Sequence, residues 1–491
     1  MTTLTRDDLL ERDSNDPLAR MRERFDLPDG MIYLDGNSLG ALPHITKDRI
    51  RQLIEDQWGL DLIKSWNAHD WYHMPGRCGA KLAAFIGARP GEVVCADSTS
   101  VNLFKLLAAA LAERPDRTVI VSEKGNFPTD LYIAQGLTGM LGRGHELRLV
   151  ESDAELDGAI RDDVAVVMLT HIDYRSGRMH DMAAVTGRAH DAGALVLWDL
   201  AHSAGAVPVD LNGADADLAV GCGYKYLNGG PGAPAFLFIA ERLQDRIRPP
   251  LSGWMGHAAP FDFDWSYRPA EGIARNLCGT PPVLSLAALE ASLDTMADLD
   301  MAAVRAKSLA LGDLFIELVE TRCAGHGFTL VSPRDATRGS QVSFAHPEGF
   351  PIMQALIAGH VIGDFRAPDI LRFGFTPLYT RYVDIWDAVD VLADIMASGR
   401  WNEPRFRARG TVTRPDAAPP DRMRPGAALP VGAQDAPGRR LDTAPPPPFY
   451  ARTLKGRDRP AAGTPGAVFV RPSRPRPADS AGRELPGSWA S

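Results

Sequence analysis

The middle of the chain carries short apolar runs at Glu92 to Ala96, Thr118 to Ser122, Val164 to Leu169, Ala194 to Trp198, Leu218 to Cys222 and Ala235 to Ile239. Runs that stay apolar instead of alternating read as strands buried on both faces. Between them lie segments with helical spacing. Val101, Phe104, Leu107 and Leu111 recur at three- and four-residue steps, and Asp181 to Asp191 is a helix closed by Gly193. Strand, helix, strand at this spacing predicts βαβ units whose right-handed crossovers make neighbouring strands parallel. Ligands of such sheets bind beyond the strands' C-terminal ends. Further on, Leu284 to Met296 and Met301 to Glu320 read as helices that open a smaller C-terminal domain, in which Ile370 to Phe375 is strand-like. The first thirty residues are charged and helix-like, with Asp13, Ser14 and Asn15 offering a cap before Pro17. Met31 to Gly40 then reads as a short strand and a glycine-flanked turn.

At 491 residues, 45% of them apolar and 23% charged, the chain is long enough for a large globular core. The net charge of −9 is unevenly placed: Thr411 to Ser491 holds 13 Lys and Arg against 7 Asp and Glu, so this segment is +6 and the rest −15. The acidic body argues against nucleic acid as a partner. The same segment has 16 of the 38 prolines and few periodic apolar positions, a composition that predicts disorder from about residue 410. Five scattered cysteines without a CxxC pair fit a reducing compartment. No basic leader with an apolar core opens the chain and no apolar run is long enough to span a bilayer, so a soluble, cytoplasmic protein without a membrane partner is expected.

Chemistry concentrates where the buried runs end. Lys225 lies between Tyr224 and Tyr226, after the run closing at Cys222 and before the cluster Gly229-Gly230-Pro231-Gly232. An ammonium group avoids interiors unless it is paired or its pKa falls. Lys225 therefore either snorkels to the surface or does imine chemistry with an aldehyde. Asp199 decides between these, because it ends the run Ala194 to Trp198 and precedes the lysine by 26 residues, with His202 just after it. A carboxylate that pairs with a protonated pyridine nitrogen and a lysine that holds an aldehyde are what pyridoxal phosphate requires.

Other positions fit the same cofactor. Thr99 or Ser100 falls at a helix N-cap, which serves either as an ordinary cap or as an anion site for a phosphate. Phe127, in Asn126-Phe127-Pro128-Thr129-Asp130, follows a strand end, where an aromatic ring can stack on a pyridine. His69 and His73 are four apart, but no carboxylate or cysteine set completes a metal site, and no metal is expected. An aromatic wall for an aromatic substrate is the sharper reading of that segment, with Trp66 as the candidate. Arg372, in an apolar run, needs a carboxylate partner, either in a structural salt bridge or in a substrate. Trp254, between glycines, reads by itself as a plug in a subunit contact.

Lys225 and Asp199, in this order and spacing, resemble the fold type I pyridoxal-phosphate enzymes. Tyr33-Leu34-Asp35-Gly36-Asn37-Ser38-Leu39-Gly40 with Pro43, Phe127-Pro128-Thr129-Asp130, Gly253-Trp254-Met255-Gly256-His257, Gly279-Thr280-Pro281-Pro282 and Leu371-Arg372 before Pro377-Leu378-Tyr379 resemble the kynureninases over residues 5 to 409. The resemblance implies an α/β fold with a mostly parallel, seven-stranded-type sheet between helices and a smaller C-terminal α+β domain. It implies an N-terminal arm and active-site loop at 1–40, a large cofactor domain at 41–290, a small domain at 291–409 and a tail at 410–491. It also implies a homodimer that hydrolyses L-kynurenine, with 3-hydroxykynurenine as a further substrate left open, to L-alanine and anthranilate in tryptophan catabolism.

In that resemblance Lys225, Asp199 and Tyr224 are catalytic, with Thr99, Ser100, Phe127, Pro128, Thr129, Asp130, Thr170 and His202 at the cofactor. Trp254 and Thr280 reach the partner's cofactor, and Arg372, Trp66 and Asn37 face the substrate. Tyr224 binds the phosphate and would relay protons only if cationic neighbours lowered its pKa from near 10. The alternatives within the fold are a cysteine desulfurase, which needs a mobile nucleophilic cysteine, or an aminotransferase. The alternative from a different functional class is a non-catalytic ligand sensor built on the same fold.

Overall fold

The computed structural model describes residues 4–409, and the disorder expected from residue 410 onward lies outside the described residues. A seven-stranded sheet runs in the spatial order Val93–Cys95, Phe236–Ile239, Leu218–Gly221, Leu195–Asp199, Val164–Thr170, Val119–Glu123, Glu146–Val150. Phe236–Ile239 is antiparallel to both neighbours and the remaining pairs are parallel. The apolar runs fail to alternate because both faces are covered. Val196 and Trp198 pack into one core with Phe236 and Phe238, while Leu195, Leu197, Leu237 and Ile239 point into a second core under the helix Thr99–Glu113. The edge strand Glu146–Val150 was not foreseen, since its Glu-Leu-Arg-Leu-Val pattern alternates and its outer positions stay partly exposed.

A four-stranded antiparallel sheet, ordered Thr329–Leu330, Gln341–Ala345, Ile370–Gly374, Asp364–Arg366, forms with the helices Met301–Arg322 and Tyr382–Ser398 a third core. The beginning of the chain joins this C-terminal half. Ile32–Tyr33 pairs in parallel with Val361–Ile362, and Leu9 and Leu34 are buried beside Leu311 and Phe373. The expected cap at Asp13 is corrected: Asp13 lies inside the last turn of the helix Arg6–Ser14, which is capped at its start by Thr5. Asp13 instead accepts hydrogen bonds from the backbone N–H groups of Tyr382 (2.7 Å) and Val383 (3.0 Å), which open the last long helix and have no partner within it. Among the described residues no helix is long and apolar enough to cross a membrane.

Candidate active site

The parallel strands deliver the site. Thr170 and Asp199 are paired across neighbouring strand ends, and Asp199 is opposite Val220 on the next strand. Five residues past Val220, Lys225 stands at the start of a tight loop closed by Gly229 N–H to Gly223 carbonyl (2.9 Å) and Asn228 N–H to Lys225 carbonyl (2.9 Å). The turn after Asp199 brings His202 round so that its Nε2 lies 3.0 Å from Lys225 Nζ. The N-terminal loop closes over this point: Gly40 N–H donates to Tyr224 carbonyl at 2.8 Å. A Cβ on Gly40 would lie 2.4 Å from the Lys225 carbonyl oxygen, so only glycine fits there.

One pocket is lined by Thr99, Ser100, Phe127, Thr129, Asp130, Thr170, Asp199, His202, Tyr224 and Lys225, which brings together most of the positions expected from the sequence. Pro128 begins the helix Pro128–Leu141 between two of these lining residues. The N-cap is Ser98, not Thr99 or Ser100: its side chain accepts from Val101 N–H at 3.4 Å. Thr99 and Ser100 therefore occupy the first helical turn, where N–H groups lack intrahelical partners and favour an anion.

Burial sets the electrostatics. Asp130 and Asp199 face each other inside the protein, and burial together with the neighbouring carboxylate pushes Asp130 well above the usual range. Burial also raises Asp199, against the pull of Lys225. The push is the stronger on Asp130, which makes Asp199 the more acidic member of the pair. Burial, then the positive charge of Lys225, hold His202 well below its ordinary value, so its imidazole is neutral. Its Nδ1 is buried without a hydrogen-bond partner. Burial, then Cys222, push the Tyr224 phenol up, so the lowered pKa that proton relay requires is not found. The donor-rich helix start, the negative carboxyl pair and the lysine fit the phosphate, ring nitrogen and aldehyde of pyridoxal phosphate.

Arg372 is almost fully buried in a fork on Asp364, with Nε at 2.8 Å from Oδ1 and Nη2 at 2.5 Å from Oδ2, and its Nη1 donates to Tyr174 carbonyl at 2.7 Å. Asn37 is buried beside it, and with its amide nitrogen toward Asp35 Oδ1 (3.1 Å) its oxygen accepts from Arg372 Nε (2.9 Å). Trp66 lies outside the pocket lining and packs edge-on against Trp71 at 5.8 Å on the main core, so an aromatic wall from Trp66 is not formed within this chain. Trp254 and Thr280 are exposed and also outside the lining. His69 and His73 each take an aspartate partner, Asp61 and Asp70. Glu123, Asp153 and His180 come within metal-binding reach of one another, but Arg178 donates to both carboxylates, at 2.9 and 2.5 Å.

Sequence reasoning missed Tyr174, whose ring meets Phe127 edge-on at 5.2 Å in the pocket wall and whose carbonyl also accepts from Gln341 at 3.1 Å. Its one signal was a tyrosine in the turn Asp173-Tyr174-Arg175-Ser176-Gly177 after the strand ending at Thr170. Asp364 was missed as well, because its pairing with Arg372 is a register between antiparallel strands.

A family model described as the kynureninase C-terminal domain matches residues 304–392. A kynureninase of Burkholderia pseudomallei is 58% identical over 414 residues, which is 83% of this chain and all of that protein. One of Pseudomonas fluorescens is 56% identical over the same shares. The chain belongs to the kynureninase family. The wider fold is that of the pyridoxal-phosphate enzymes of fold type I. An apo cysteine desulfurase of Thermococcus onnurineus superposes with a TM-score of 0.65 at 20% identity, over 77% of this chain and 98% of that one. The desulfurase CsdA of Escherichia coli gives 0.63 at 20% identity, over 78% and 98%. A desulfurase's nucleophilic thiolate has no counterpart at the pocket of this kynureninase-family chain. No cysteine lines it, and burial pushes the thiols of Cys78, Cys95, Cys222 and Cys323 up.

Asp35, in the loop beside Arg372, is raised by burial and then by Asp364 from 3.8 to about 7. The folded chain keeps this proton between those values while an unfolded chain releases it, so its contribution is complete at low pH and lost as pH rises to about 7. Denaturant unfolding of the cofactor-free protein is expected to weaken across that window by up to roughly 1.4 kcal/mol per pH unit, with a flatter profile in Asp35→Asn. Parallel profiles for the two proteins would remove Asp35 as the cause.

Proposed function

We propose that the chain is a pyridoxal-phosphate-dependent hydrolase that cleaves the Cβ–Cγ bond of L-kynurenine to give L-alanine and anthranilate. The observation that carries this reading is Lys225 beside His202 in one pocket with Asp199, in a chain of the kynureninase family. Bound there, pyridoxal phosphate supplies the electron sink for charge left at Cα and then at Cβ. Lys225 anchors its aldehyde carbon and, once the substrate amine has taken that position, moves the Cα proton. Neutral His202 accepts a hydrogen bond from Lys225 and so aims the amine. Asp199, carrying the negative charge of the Asp130 pair, keeps the pyridine nitrogen protonated, and Thr170 donates to Asp130 across 3.5 Å. The hydroxyls and first-turn N–H groups of Thr99 and Ser100, joined by Tyr224, hold the phosphate. Phe127 covers the ring face, with Pro128 and Thr129 setting its approach. Water adds at the substrate's Cγ ketone, and the Cβ–Cγ bond breaks as Cβ takes up a proton.

Arg372 takes the α-carboxylate by exchanging or sharing its Asp364 fork, with Asn37 alongside. Trp254 and Thr280 serve the site of a second copy, and Trp66 meets the substrate's aromatic end only in such an assembly. In favour of the assembly, Ile45, Ile54, Trp58, Leu60, Leu62 and Ile63 form an exposed apolar face on the segment before Trp66. All five cysteines are free, which fits a reducing, cytoplasmic setting.

The purified protein is expected to be yellow, to consume L-kynurenine and to release fluorescent anthranilate, and Lys225→Ala is expected to lose both colour and turnover. A yellow protein that leaves kynurenine untouched would end the substrate assignment. Arg372→Lys keeps the charge without the fork, and it is expected to raise KM for kynurenine about tenfold or more with the cofactor spectrum intact; an unchanged KM would remove Arg372 from the substrate. Sedimentation is expected to give twice the chain mass, and mixing inactive Lys225→Ala with inactive Thr280→Ala should restore part of the activity through hybrid sites. A monomer with full activity sinks the shared site.

A further inference from the structure

Lys105 is the most thoroughly buried cation of the described chain, with no side-chain exposure, on the helix whose first turn lines the pocket. On the same helix face, three and four residues away, Asn102 and Ala109 are buried and Val101 and Ala108 are half-buried, a setting where an apolar side chain would be cheaper than an ammonium group. The charge is spent on two contacts. Nζ donates to Asp97 Oδ2 at 2.7 Å and to the carbonyl of Asn276 at 2.8 Å. Asp97 has φ of +52°, a left-handed conformation that a residue with a Cβ avoids without outside support, and it ends two residues before Thr99. Its backbone carbonyl is tied to Ala235 N–H at 3.0 Å, so the carboxylate is the second tether on this turn. Asn276 closes the segment Gly272–Asn276, four residues before Thr280.

We infer that Lys105 is a positioning residue for the phosphate end of the pocket. It holds the 97–100 turn in the shape that aims the first-turn donors, and it cancels the Asp97 carboxylate, which would otherwise repel a phosphate dianion at Thr99 and Ser100. Through the Asn276 carbonyl the same ammonium fixes the strand of chain that leads to Thr280. The inference rests on the reading that Thr99 and Ser100 hold the cofactor phosphate.

The test compares the binding of pyridoxal phosphate and of pyridoxal, which has the same ring and aldehyde but no phosphate, to cofactor-free wild type and Lys105→Met. Melting temperatures of the cofactor-free proteins are measured alongside. Pyridoxal phosphate is expected to bind the variant roughly tenfold to a hundredfold more weakly, the worth of a charge-assisted hydrogen bond, with pyridoxal binding unchanged. Asp97→Asn/Lys105→Met, which leaves no uncompensated carboxylate, should recover part of the loss. Should Lys105→Met not fold, Lys105→Gln, which keeps a donor but not the charge, is expected to show the same phosphate-selective loss. Equal weakening of both ligands, or none of either, overturns the inference. A wild-type protein that binds neither ligand overturns the pocket reading beneath it, and this inference with it.

Discussion

The site depends on one constraint, the cost of keeping charge at the buried C-terminal edge of a parallel sheet. Asp199 and Asp130 are buried there beside the half-buried Lys225, whose positive charge offsets part of the cost of burying the carboxyls. Two neighbouring carboxyls are both pushed up, Asp130 the more, the lysine faces an imidazole held well below its ordinary value, and His202 keeps one nitrogen without a partner. Such a cluster is balanced for a ligand that brings a cationic ring nitrogen at one end and a dianion at the other.

That constraint reaches outward through the backbone. The Lys225 loop approaches the N-terminal loop closely at Gly40, and Gly374, whose absent Cβ would come within 2.0 Å of the Asn37 side-chain amide, makes the same allowance on the other side. The loop from Asp35 to Gly40 therefore lies between the lysine loop and the small sheet, with Asn37 and Ser38 next to the Arg372–Asp364 pair. Breaking a buried pair of this kind costs about 3–5 kcal/mol, so the Arg372–Asp364 pair supports the fold. Lys105 with Asp97 repeats the arrangement just before Thr99, again a buried cation matched to one carboxylate.

The residues themselves carried much of this. The buried strands were legible because sheets covered on both faces leave continuous apolar runs, and Thr170, Asp199 and Lys225 were legible because they stand where those runs stop. Glu146–Val150 was not, since an edge strand exposes one face and reads as polar. Helix caps slipped by one residue at Ser98, and at Asp13 the donor served belongs to a helix more than 360 residues away.

By its order of residues the chain determined the strand sequence, the strand-end chemistry and the signature loops, all of which are local or periodic properties. Only the tertiary structure decided what faces what. Asp364 opposite Arg372 is a matter of strand register, the upward push on Asp130 and Asp199 is a matter of distance and burial, and the upward push on Tyr224 comes first from removing water and only then from Cys222, two residues before it. Trp66 shows the same limit in reverse. Its type suits an aromatic pocket, but packing against Trp71 takes its place in the core, and no spacing along the chain records that choice.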